Sequence, residues 1–145
     1  VMMRISRDFT RRQINLDSIT VGIEPTGLAR IIIMFKADDR LAEFMRRLLV
    51  RMTPVVEVEV LDPERSIVRE VALLKTRKLN EEESLRVLNE IDRIGGRVLE
   101  FKNGALVAEV YGDHERIEQV VKALGPDILK EVARSGQVLI SREMG

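Results

Sequence analysis

The chain has 145 residues, with 24 Lys and Arg against 24 Asp and Glu, so no net charge draws it to nucleic acid or to an anionic membrane. It contains no cysteine, which excludes disulfides, thiolate nucleophiles and Cys-based zinc or iron–sulfur sites and fits a cytoplasmic protein. The apolar runs, such as Ala29–Phe35 interrupted by Arg30, are strand-sized and far short of a bilayer span, and no signal-peptide pattern is visible.

Residues 1–12 read as a helix, with Val1 or Met2, Ile5 and Phe9 on one face at spacings of three and four. A strand over Ile14–Val21 follows, then a turn at Glu24-Pro25-Thr26-Gly27 and a second strand over Ala29–Lys36. Asp38 is placed to cap the next helix, whose apolar stripe is Leu41, Phe44, Met45, Leu48 and Leu49. After Pro54, Val56, Val58 and Val60 alternate with Glu57 and Glu59, which predicts a strand with the valines on one side. Leu61–Ser66, with Asp62-Pro63, reads as a linker and divides the chain into expected domains 1–62 and 63–145.

Beyond the linker, Val68–Thr76 is apolar enough for a strand. Asn80 caps a helix opened by Glu81, Glu82 and Glu83, carboxylates that suit its positive end, with Val87, Leu88, Ile91 and Ile94 as the buried stripe. Gly95-Gly96 ends it. Val98–Phe101 and Ala105–Tyr111 flank Asn103-Gly104, a hairpin signal because both residues tolerate positive φ. Asp113 caps a helix burying Ile117, Val120, Val121 and Leu124, and strands over Ile128–Ala133 and Val138–Ser141 close the chain around Gly136.

The second half thus reads β-α-β-β-α-β, the ferredoxin-like unit, and the first half reads the same without its opening strand. A helix start with no cap and nothing before it leaves its N–H groups unsatisfied, so an opening strand and loop are expected upstream of Val1. The fold class expected is α+β, two tandem ferredoxin-like domains. This fold serves many functions. RNA recognition needs stacked aromatics on the sheet, and only Phe35, Phe101 and Tyr111 fall on strands. Metal carriage needs cysteines, and acylphosphatase-type chemistry needs a phosphate-cradling loop. Small-molecule sensing by paired domains needs no reactive residue and survives. Ser6, Ser18, Ser66, Ser84, Ser135 and Ser141 have only His114 as a conceivable base, so no hydrolase triad is supported. His114 reads as a solvated residue beside a helix cap. Arg46, Arg47 and Arg51 read as lining the outer face of their helix, either solvated or against an anionic subunit. The chain is not expected to be an enzyme by itself.

Three stretches carry a family resemblance. "FTRRQINLDSITVG" (residues 9–22), "VREVALLK" (68–75) and "KEVARSGQVLISR" (130–142) resemble, in order and spacing, segments of the acetohydroxyacid synthase (acetolactate synthase) small, regulatory subunits. The resemblance implies that the first domain is an ACT domain, which binds a branched-chain amino acid, usually valine, between two copies, and that the second is ferredoxin-like. It implies a homodimer or larger assembly bound to a catalytic subunit that carries thiamine diphosphate and Mg, with no cofactor in this chain. It further implies that this chain activates the partner and confers feedback inhibition. The effector site carries over onto Asn15, with Ile14, Val1, Met2 and Val21 beside it. Val1 and Met2 match the positions that follow the family's effector loop. The Asn15 amide offers a donor and an acceptor to an amino acid's charged groups, and the competing reading is a local bond at the helix end. Gln13-Ile14 stands where the family has Gly-Tyr, so the turn there is expected to differ, since glutamine takes the left-handed conformation at a cost. Arg134 lies in the closing motif with no role assigned by it. The alternative reading is a stand-alone amino-acid-binding ACT regulator, for which no helix-turn-helix is visible.

Overall fold

The structure is a computed structural model and describes residues 2–145. The chain divides into two compact units. One runs up to Ile67 and includes Leu139–Gly145, and the other is Val68–Val138. The expected boundary after Asp62 falls a few residues before this change, at a 3-10 turn over Pro63–Arg65 that Asp62 caps.

In the first unit, α1 (Met2–Arg11) and α2 (Asp39–Val50) share a core with β1 (Leu16–Ile23) and β2 (Ala29–Phe35), an antiparallel pair in which Ile19 faces Ile33 and Val21 faces Ile31. Ile5, Phe9, Met45, Leu49 and Met52 form the core, and Phe9 meets Phe35 edge to face at 5.0 Å. Asp38 caps α2 by accepting from Leu41 N at 2.8 Å. Phe44 does not join the buried stripe; it is exposed, with the Arg12 guanidinium 5.5 Å over its ring.

Two expectations are corrected here. β1 begins two residues later than Ile14 because the closure of α1 consumes that stretch: Gln13 N donates to Thr10 O and Ile14 N to Phe9 O. The strand expected over Val56–Val60 does not form. Met52 is buried, Val55 and Val58 pack against the core, and Val56 and Val60 are exposed, a spacing of three rather than two. Alternation in sequence suits a pleated surface, but a strand also needs a ladder partner, and none pairs with these residues among those described.

The second unit follows β3 (Ser66–Thr76), α3 (Glu81–Arg93), β4 (Arg97–Lys102), β5 (Ala105–Gly112), α4 (His114–Leu124) and β6 (Leu129–Arg134), with antiparallel strand order β4-β5-β3-β6. A last strand, β7 (Val138–Ser141), pairs with β3, whose first two residues belong, like Leu139–Ser141, to the first unit. Inward residues of β3 and β5 (Ala72, Leu74, Leu106, Ala108, Val110) pack against Val87 and Ile91 of α3 and Ile117, Val120 and Leu124 of α4. Each Val, Leu or Ile side chain among them contributes about 1.5–3 kcal/mol on burial. Asn103 and Gly104 take φ of 55° and 82°, both positive as a two-residue hairpin turn requires. The helix stripes read from periodicity are those observed, with Leu88 and Val121 only partly buried.

Candidate functional site

The turn from α1 into β1 determines where Asn15 points. Closing a helix by the two bonds from Gln13 N and Ile14 N places the first of these residues in the left-handed region, and Gln13 has φ of 59°. The expected difference at this turn is therefore one of residue type, since Gln13 takes the conformation that glycine adopts without strain. Ile14 then packs against the core, and Asn15 is turned outward and exposed. Because backbone groups close the helix, the Asn15 amide makes no side-chain hydrogen bond among the described residues and stands open to solvent.

The other expected site residues lie apart from it. Val1 is outside the described residues. Met2 opens α1 and is 37% exposed, so it and Asn15 are separated by a ten-residue helix, about 15 Å long. Val21 lies on β1 and is 53% exposed. A single copy therefore does not gather these residues into one cavity. An open hollow of about 560 Å³ does border α1, lined by Met2, Met3, Ser6, Arg7, Thr10 and Arg11.

A second constellation escaped the sequence reading. Glu70 is 4% exposed on β3 and is held by Arg134 of β6, whose Nη2 lies 2.5 Å and Nε 3.2 Å from the Glu70 carboxylate. Arg134 also donates to Glu118 of α4, and its Nη2 is 3.2 Å from His114 Nδ1. His114 lies 3.9 Å from Glu70 and 3.8 Å from Glu118. It is therefore half-exposed within a charged cluster rather than simply solvated. The hydrogen bond from Arg134 holds the Glu118 carboxyl below its ordinary value. The cluster fastens β6 and the start of α4 to β3. Glu70 and Arg134 come from "VREVALLK" and "KEVARSGQVLISR", so the fold joins those two stretches through a buried ion pair. The signal for it was available: in a strand whose even positions read Glu70, Ala72, Leu74 and Thr76, a carboxylate on the inward face demands a cationic partner.

Among the described residues, no group of three or more His, Cys, Asp and Glu is arranged to hold a metal ion, and no helix is long and apolar enough to cross a membrane. Of the expected outer-face arginines, Arg46 is engaged by Glu43 at 2.5 Å, while Arg47 and Arg51 are exposed and form no salt bridge among the described residues.

Comparison with known proteins is consistent along the whole chain. A family model described as the small subunit of acetolactate synthase matches residues 69–143. A probable acetolactate synthase small subunit from Methanothermobacter thermautotrophicus is 34% identical over 143 residues, 98% of this chain and 85% of that protein. One from Aquifex aeolicus is 28% identical over 145 residues, 99% of this chain and 76% of that protein. Among solved structures, the acetolactate synthase small subunit from Thermotoga maritima matches with a TM-score of 0.88 at 30% identity, covering 99% of this chain and 90% of that one.

Proposed function

The chain belongs to the family of acetolactate synthase small subunits, and from that membership we propose that it is the regulatory subunit of an acetohydroxyacid synthase. In this reading it binds a large catalytic subunit in the cytoplasm, raises its activity and confers feedback inhibition by valine or a related branched-chain amino acid. The observation that carries the reading is the likeness, over nearly the full length of both chains, to a solved small subunit. Thiamine diphosphate and Mg belong to the catalytic partner. This chain contributes binding energy that favours the partner's active arrangement, for which a differential of a few kcal/mol suffices.

The same reading assigns 1–62 to an ACT domain and 63–145 to a ferredoxin-like domain. The element sequence β3-α3-β4-β5-α4-β6 with strand order β4-β5-β3-β6 supports the second assignment. The effector sits between two copies, which accords with Met2 and Asn15 lying at opposite ends of one helix: each pocket takes its helix start from one copy and its Asn15 from the other. The unengaged Asn15 amide then meets the charged end of the amino acid, with Ile14, Val21, Val1 and Met2 around it. The test is to titrate the purified full-length chain into the catalytic subunit and follow acetolactate formation with and without valine, leucine or isoleucine. A rising rate and inhibition by one of these amino acids are expected. A flat titration overturns the reading.

A further inference from the structure

The helical layer of the first unit carries more positive charge than its ion pairs engage. Arg4, Arg7 and Arg11 recur along α1 at spacings of three and four, and Arg40, Arg47 and Arg51 recur along α2 with the exposed Phe44 between them. All six arginines are exposed, and none forms a salt bridge among the described residues. The other arginines of this layer are paired, Arg12 with Asp8 and Arg46 with Glu43. Arg7 and Arg11 are like charges one turn apart, which weakens a helix, although Arg11 and Arg47 gain from lying in the last turns of their helices. Arg40 adds a cation to the first turn of α2, at the end of the helix that favours anions. In a chain with no net charge, these six arginines are gathered on two helices, and Glu43, one turn before Arg47, offsets only part of their repulsion. The two helices share one core and meet where Arg12 lies over Phe44, so the arginine rows belong to one layer.

Building on the regulatory reading above, we infer that this layer is the docking surface for an acidic patch on the catalytic subunit. The charge chooses the sign of the partner. The exposed Phe44 and Met3 beside the arginines choose its kind, since aromatic residues, Met and Arg are enriched where proteins meet. A polyanion fits less well, because the chain as a whole is neutral.

The experiment measures binding of the full-length chain to the purified catalytic subunit, and the activation that follows, for the wild type and two triple variants. These are Arg40→Glu/Arg47→Glu/Arg51→Glu and Arg4→Glu/Arg7→Glu/Arg11→Glu, with the corresponding Gln triples as milder forms. Arg86→Glu/Arg97→Glu in the second unit is the control. Each Glu triple should raise Kd by about tenfold or more, each Gln triple by less, and the control should leave Kd unchanged. Wild-type binding should weaken steeply as salt rises to about 0.5 M. Melting curves that match the wild type tie the loss to the surface. Wild-type binding with undiminished affinity in all four triples overturns the surface alone. A wild type that does not bind the catalytic subunit overturns the regulatory reading and the surface with it. Variants that keep their affinity for the subunit but lose retention on single-stranded RNA assign the arginines to nucleic acid instead.

Discussion

Gln13 occupies a backbone position that suits glycine, with φ of 59° in the closing turn of α1. The left-handed conformation costs a residue with a Cβ about 1–2 kcal/mol, and glycine's greater freedom in the unfolded chain offsets up to about 1 kcal/mol of the relief. Gln13→Gly is therefore expected to stabilise the protein by about 0.5–1 kcal/mol, read as a higher urea midpoint with an unchanged slope. A lower midpoint would mean that the exposed glutamine side chain contributes more than its backbone costs. Because that turn is closed by main-chain groups, Asn15→Ala should leave the midpoint where it is. It should nevertheless weaken the effector about ten- to a hundredfold, the loss of one or two hydrogen bonds to a charged group. Inhibition constants that do not move in the reconstituted enzyme would remove Asn15 from the site. At the charged cluster the prediction is opposite in kind. Arg134→Met strands the buried Glu70 and should destabilise by roughly 3 kcal/mol, whereas Glu70→Leu with Arg134→Met should recover most of it. A double variant no more stable than the single would show that the pair is not the source of the loss.

At the start of α3, sequence and electrostatics agree. Asn80 accepts from Glu83 N at 2.8 Å, and Glu83 accepts from Asn80 N at 3.1 Å, the reciprocal arrangement of a capping box. Glu83 is also bound by Arg77, and these bonds, Arg77's first, draw its pKa down to about 2 from 4.5. A depressed folded value means that the contribution to stability is whole above about pH 4.5 and is lost as the pH falls towards 2. Glu83→Gln keeps an acceptor for Asn80 N–H and removes the charge, so the stability gap between wild type and variant should be constant near neutrality and close on acidification. A gap that stays constant down to pH 2 would assign the effect to shape rather than charge. Local rules of this sort made the elements legible. Asp38, Asn80 and Asp113 are caps by residue type and by geometry, and Asn103-Gly104 takes the turn that its residue types favour. Elements that depend on distant partners were not legible. The stretch Val56–Val60 has the alternation of a strand but pairs with no strand among the described residues, and the clamp of Arg134 on Glu70 spans 64 residues. Neither the partner of a strand nor the far end of an ion pair is encoded within a window of a dozen residues.

At the scale of the molecule, β1 and β2 of the first unit form a two-stranded sheet, and an isolated pair of strands is marginal in water unless packed or extended. The helices cover part of one face, yet Val21, Ile23 and Leu28 at the hairpin end remain 53%, 74% and 52% exposed. Each strand of the pair has one ladder neighbour among the described residues, so its other edge is where a further strand can add. A second copy satisfies both needs at once, and it would also bring the helix start of one chain to the Asn15 of the other. The expectation is therefore a dimer joined through this unit, with twice the chain mass by light scattering at micromolar concentration. Ile23→Lys places a charge on the exposed apolar end without disturbing the core, and it should shift the equilibrium towards monomer and lower the melting temperature in a concentration-dependent way. It should also blunt effector inhibition, since the pocket needs both copies, while the second unit keeps its own fold. A wild type that remains monomeric across this range would remove the shared pocket. An Ile23→Lys chain that stays dimeric with full inhibition would move the interface to another surface.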